Sequence, residues 1–219
     1  MKTEIKLLIF DFDGVLVEWS KEYRKWYSST LERVVERERG KKGLEIVEYC
    51  RKAFNGKGEL ALFLLDIPFR KWAQLLIKIP RDIISSQPEI VSRVKKIPAY
   101  KVIYTGSPTK MVERVLPWLG FSLGDFHWIL GWRKPELFPL KWTSSPLVFE
   151  AILSKFSVAP KEAWVVGDDW TTDLQPAKAI GLRTVGIGKC EGKPDFKFKN
   201  VKKFLEFIGG EREWKEFLM

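Results

Sequence analysis

Five short apolar runs constrain this chain more than any other feature, because each is of strand length and too short for an ordinary helix. They occupy residues 5–10, 101–105, 126–130, 163–167 and 184–187. Three of them are near-continuous hydrophobic strings rather than alternating ones, the pattern of parallel strands buried on both faces. Helical periodicity fills the gaps. It covers 108–119 after the second run, 146–156 before the fourth, and 172–180 after it, where Gly181 stops the pattern. Ser107 and Ser145 are candidate N-caps, each followed by a proline at a first-turn position. Strands alternating with helices predict an α/β fold, a Rossmann-like doubly wound parallel sheet.

Residues 17–86 break this rhythm. They hold no convincing buried strand, only amphipathic helical stretches at 19–39, 43–54 and 68–79, the last two separated by Asn55-Gly56-Lys57-Gly58. In the first stretch Trp19, Tyr23, Trp26, Tyr27, Leu31, Val34 and Val35 share a face, with charges opposite. The expected organisation is an α/β core from 1–16 and 87–219, with 17–86 as a small all-helical second domain.

The net charge is +10, from 38 Lys+Arg against 28 Asp+Glu, and it raises the question of an acidic partner. The lysines, such as Lys41, Lys42, Lys95, Lys96, Lys202 and Lys203, are scattered among glutamates. There is no basic stripe interleaved with aromatics and no nucleic-acid module, so no nucleic-acid partner is expected. Cys50 and Cys190 form no CxxC or Cys/His cluster, so neither a disulfide framework nor a zinc site is implied. The N-terminal apolar run is broken by Lys6, and the stretch 60–65 stops at Asp66, too short to span a bilayer. The expectation is a cytoplasmic protein, monomer or homodimer, away from membranes.

Ligands of an open parallel sheet bind beyond the carboxyl ends of its strands. The first strand ends in Asp11-Phe12-Asp13-Gly14-Val15, the second in Thr105-Gly106-Ser107, and the fourth in Gly167-Asp168-Asp169, with Asp173 close behind. Several carboxylates gathered on one edge stay ionised together only with a cation among them. Hard oxygen ligands, few of them from protein, suit Mg²⁺ and a phosphate-bearing ligand.

These segments resemble the motifs of the haloacid dehalogenase superfamily. Asp11-Phe12-Asp13-Gly14-Val15 is similar to its DxDGx motif, the strand ending at Thr105 to its second motif, and Gly167-Asp168-Asp169-Trp170-Thr171-Thr172-Asp173 to its GDxxxxD motif. All occur in the family's order at strand ends. The resemblance implies a Mg²⁺-dependent phosphatase acting on small phosphorylated metabolites. Asp11 would be the nucleophile and Asp13 the acid and base. Thr105 would bind the transferred phosphoryl group, with Gly106 and Ser107 beside the substrate. Asp11, the Asp13 carbonyl and Asp168 would hold Mg²⁺, with Asp173 as ligand or support. A 2-haloacid dehalogenase or a phosphomutase shares the nucleophile, and a non-catalytic basic binding module is the alternative outside enzymes.

The family's lysine motif is the departure. About two dozen residues before Asp168 stands Thr143, not a lysine. Lys141, 27 residues ahead of Asp168, fits the spacing best, while Lys134-Pro135 looks more like the usual dipeptide at 34. Lys141 is the preferred phosphate-binding lysine. The resemblance also makes 17–86 a cap that closes over the site, with 14–18 and 82–87 as hinge strands. Asp169 reads as a further ligand or as a helix N-cap. His127 reads as structural, inside an apolar run without a motif partner. Trp19 and Trp170 border the substrate pocket or simply pack.

Overall fold

The computed structural model describes residues 4–54, 56–133 and 140–210. Six parallel strands form one sheet in the order β3-β2-β1-β4-β5-β6. They are β1 (Leu7–Phe10), β2 (Tyr100–Pro108), β3 (Trp128–Trp132), β4 (Ala163–Gly167), β5 (Arg183–Ile187) and β6 (Phe196–Phe198). Alternate residues of one strand serve opposite faces, and the core divides accordingly. Leu7 and Ile9 of β1 pack with Val102, Val165 and Phe149 on one side. Leu8 and Phe10 pack with Ile103, Val166, Val112 and Phe204 on the other. That two-sided burial is why these runs lack polar alternation.

Helices cover both faces, as the alternation predicts. They are α4 (Pro88–Lys96), α5 (Thr109–Leu119), α6 (Leu147–Phe156), α7 (Gln175–Ala179) and α8 (Val201–Ile208). Three details differ from expectation. β3 lies two residues later than the 126–130 run, because the 3-10 turn Leu123–Asp125 leads into it and Phe126 is spent on the core. The helix expected at 172–180 is a π-helical turn, Trp170–Leu174, followed by the short α7. β6 is three residues long, too short for any sequence pattern to mark.

Between β1 and α4 the described residues hold only helical elements. They are α1 (Lys21–Ala53), α2 (Leu60–Leu64), α3 (Phe69–Leu76) and the 3-10 turn Arg81–Ile83. Gly40, at φ 64°, breaks α1 into two arms, so the stretches expected at 19–39 and 43–54 meet there. Arg51 of the second arm pairs with Glu32 of the first at 2.7 Å. Ser20 caps α1 by accepting the Tyr23 N–H at 3.0 Å. The two connections to the core lie side by side: Gln87 Nε2 donates to the Leu16 carbonyl at 3.1 Å. Among the described residues no helix is long and apolar enough to cross a membrane.

Candidate active site

The strand order reverses beside β1, where β1 and β4 end next to each other, and the acidic turns meet there. The Asp11 N–H donates to the Val166 carbonyl at 2.8 Å, which extends the ladder one residue beyond β1. The chain then turns back on itself, with the Val17 N–H bonded to the Phe12 carbonyl and the Gly14 N–H to the Val17 carbonyl. Gly14 takes φ +83°, and a Cβ there would lie 2.0 Å from Asp168 Oδ2. Only glycine permits both the left-handed backbone and that approach.

Asp11, Asp168 and Asp173 offer carboxylate oxygens within 4.8 Å of one another. Lys141 is buried among them. Its ammonium pairs with Asp11 Oδ1, which also accepts the Phe12 N–H, and lies 2.7 Å from Asp173 Oδ1. Lys141 comes from the 3-10 turn Leu140–Thr143, ahead of α6. Lys134 lies outside the described residues. Asp173 takes the Asp169 N–H on Oδ2 at 3.1 Å and the Thr172 hydroxyl on Oδ1. It is thus as much a holder of Lys141 and the Asp169 turn as a free ligand.

Burial dominates the electrostatics. It lifts the Asp11 carboxyl well above the ordinary range, with Lys141 pulling down and Asp173, Asp168 and Asp13 pushing up. Asp168 rises to about 7 through burial and the neighbouring Asp173, against Lys141 and Trp19. Burial would lower Lys141, but the Asp11 and Asp173 carboxylates outweigh it and hold the ammonium charged. Three close carboxyls with hard oxygen donors, two of them resisting ionisation, fit a divalent cation such as Mg²⁺.

Asp13 stands apart from that cluster. Its Oδ1 accepts the Tyr23 hydroxyl at 2.5 Å and its Oδ2 the Ser107 hydroxyl at 2.6 Å. Burial raises the Asp13 carboxyl, and these two donors hold it back. Ser107 is therefore not an N-cap. α5 starts at Thr109 with Pro108 as its cap residue, leaving the Ser107 hydroxyl for Asp13. Thr105 is buried, and its Oγ1 accepts the Ser107 N–H at 3.0 Å. Gly106 lies under Trp142, whose Nε1 would be 2.5 Å from a Cβ there. Ser145 accepts the Leu147 N–H at 3.3 Å, so it serves the start of α6.

Asp169 accepts the Thr172 N–H at 3.0 Å as an N-cap, and Lys57 of the helical segment lies 3.0 Å from its Oδ2. Burial would raise the Asp169 carboxyl, but that N–H and Lys57 hold it below the ordinary range. Trp19 faces the carboxylates, its Nε1 donating to Asp168 at 3.1 Å. Trp170 packs on the core and over Gly192. His127 Nδ1 accepts the Lys101 N–H at 3.1 Å between Tyr100 and Phe156, a structural place. Sequence reasoning missed the contacts of Tyr23, Lys57 and Trp142 with this edge. Tyr23 carried only the signal of a buried aromatic stripe, and the other two carried none.

The haloacid dehalogenase-like hydrolase pattern matches residues 5–181. The chain belongs to that family. It is therefore a hydrolase, with the parallel α/β core that the family shares. Glyceraldehyde 3-phosphate phosphatases from Pyrococcus furiosus and Pyrococcus abyssi are 25% and 24% identical to it, over 83% of this chain and 80% of theirs. A haloacid dehalogenase phosphatase structure from Thermococcus onnurineus superposes with a TM-score of 0.66 at 20% identity, covering 95% of this chain and 100% of that one.

Proposed function

We propose that this hydrolase is a Mg²⁺-dependent phosphatase of small phosphorylated metabolites, working through an aspartyl-phosphate on Asp11. The observation that carries the reading is the convergence of Asp11, Asp168, Asp173 and Lys141 at the adjacent ends of β1 and β4. The names of the curated relatives support a phosphorylated substrate of few carbons.

Asp11, the Asp13 carbonyl and Asp168, with Asp173 behind them, would hold Mg²⁺, which when bound supplies neutralising charge to the phosphoryl oxygens. Two donors converge on Asp11 Oδ1, which fixes the carboxylate and directs its other oxygen at phosphorus. As that P–O bond forms, the bond to the alcohol oxygen breaks, and Asp13 gives its proton to the departing alkoxide. Burial, which raises the Asp13 carboxyl, favours its protonated form. Asp13 then takes a proton from water, the water oxygen bonds to phosphorus, and Asp11 is released with inorganic phosphate. Lys141 and the Thr105 hydroxyl hold the phosphoryl oxygens meanwhile. The helical segment 17–86 acts as the cap. Through Tyr23 on Asp13, Trp19 on Asp168 and Lys57 on Asp169, it reaches the carboxylate edge and keeps bulk water from it.

The test is turnover of p-nitrophenyl phosphate with Mg²⁺ and with EDTA, in the native protein and in Asp11→Asn. Native activity that needs Mg²⁺, and a loss of roughly a thousandfold or more in Asp11→Asn, are expected. Full activity in the variant would remove Asp11 as nucleophile.

A further inference from the structure

A groove of about 530 Å³ runs along the seam between α3 of the helical segment and the start of α5 with the end of β3. That is room for a small metabolite or part of one. Three cations line it, Arg70 from α3, Lys110 from α5 and Arg133 after β3, against one carboxylate, Glu113. Among the described residues none of the three has an acidic partner within ion-pair distance. Arg133 donates to the Ile129 carbonyl at 3.4 Å. Elsewhere the lysines and arginines of this chain are often paired, as in Lys71 with Glu38 or Lys202 with Glu89.

A further set of donors stands at the same spot. α5 begins there with no side-chain cap, and Pro108, Thr109 and Lys110 at its start line the groove, which sets the positive end of the helix against it. The groove also begins close to the reacting centre. Thr109 is two residues along the chain from Ser107, the hydrogen-bond partner of Asp13, a span of about 7 Å in extended backbone. The Trp132 ring closes one wall, packed edge-on against Phe69.

We propose that this groove binds a second anionic group of the substrate, on the side away from the transferred phosphoryl group. The preferred substrates are then phosphate esters whose alcohol carries a carboxylate or another negative charge. This rests on the phosphatase reading above and goes beyond it in naming what the leaving alcohol must carry. Arg70 belongs to the helical segment and Lys110 and Arg133 to the core, so the anion would bridge the two.

The experiment compares kcat/KM for 3-phosphoglycerate and glycerol 3-phosphate, esters that differ by a carboxylate, after p-nitrophenyl phosphate has established turnover. A charged hydrogen bond or two predicts a preference of about tenfold or more for 3-phosphoglycerate in the native protein. In R70Q, K110Q and R133Q the ratio falls, and in the triple variant it falls to within about twofold of one. Reading a ratio within each variant cancels losses of folded or active protein. A native ratio near one, or a preference that survives the triple variant, overturns the groove assignment and leaves the phosphatase reading standing. No turnover of p-nitrophenyl phosphate overturns both.

Discussion

Lys141 is the residue on which the carboxylate edge depends. It is 6% exposed and touches both Asp11 and Asp173, so its ammonium is the buried counter-charge of the pair. Removing one partner of a buried ion pair strands the other, at a cost of about 3–5 kcal/mol. In Lys141→Met without added metal, urea unfolding at pH 8 is expected to show a loss of about 3 kcal/mol or more. At pH 5 the loss is smaller, because the stranded Asp11 carboxyl, already raised by burial, takes up a proton. Equal losses at both pH values would show that packing, not charge, is what Lys141 supplies. The motif spacing favoured this lysine over Lys134, yet only the fold brings it to Asp11, from a 3-10 turn whose position no pattern marks.

At the scale of elements, the junction between α1 and α2 is the informative one. Lys57 there reaches Asp169, and Glu59 two residues on precedes α2. Burial lifts the Glu59 carboxyl from 4.5 to about 7. A carboxyl with a raised folded pKa contributes stability that is fully present below pH 4.5 and is lost as pH rises through 7. The shift corresponds to a loss on the order of 3 kcal/mol across that window. Glu59→Gln should remove this part of the slope. Between pH 4.5 and 8, the denaturation midpoint of native protein falls relative to the variant, and parallel curves would count against the assignment. Nothing in the sequence marks Glu59, because a loop gives no period from which burial can be inferred. The helical stretches 19–39 and 43–54 were legible from their apolar faces, whereas the arm-to-arm packing around Gly40 was not.

For the whole molecule, metal binding and stability are linked. Among the described residues three carboxyls crowd one site with a single buried ammonium, which leaves their repulsion only partly answered. A cation bound to the folded state alone stabilises by about 2.7 kcal/mol at a hundred times its Kd. The thermal midpoint should therefore rise with Mg²⁺ and return with EDTA, and the rise should vanish in Asp168→Asn. A midpoint indifferent to Mg²⁺ in the native protein would remove the metal site. The charge of +10 takes a different place at this scale. Arg70, Lys110 and Arg133 at the α3–α5 seam face a groove beside an acidic edge, a separation of sign that a net count conceals.

The sequence by itself determined the parallel α/β core, the helical character of 17–86 and the carboxylates at the strand ends. Runs of buried strand and strand-end motifs are local, so periodicity and spacing report them. Only the tertiary structure decided that Ser107 and Tyr23 share Asp13, that Lys141 sits between Asp11 and Asp173, and that α3 meets α5 across a basic groove. Those contacts join residues far apart in the chain. Their partners are chosen by how the helical segment packs on the sheet, and no local pattern encodes that choice.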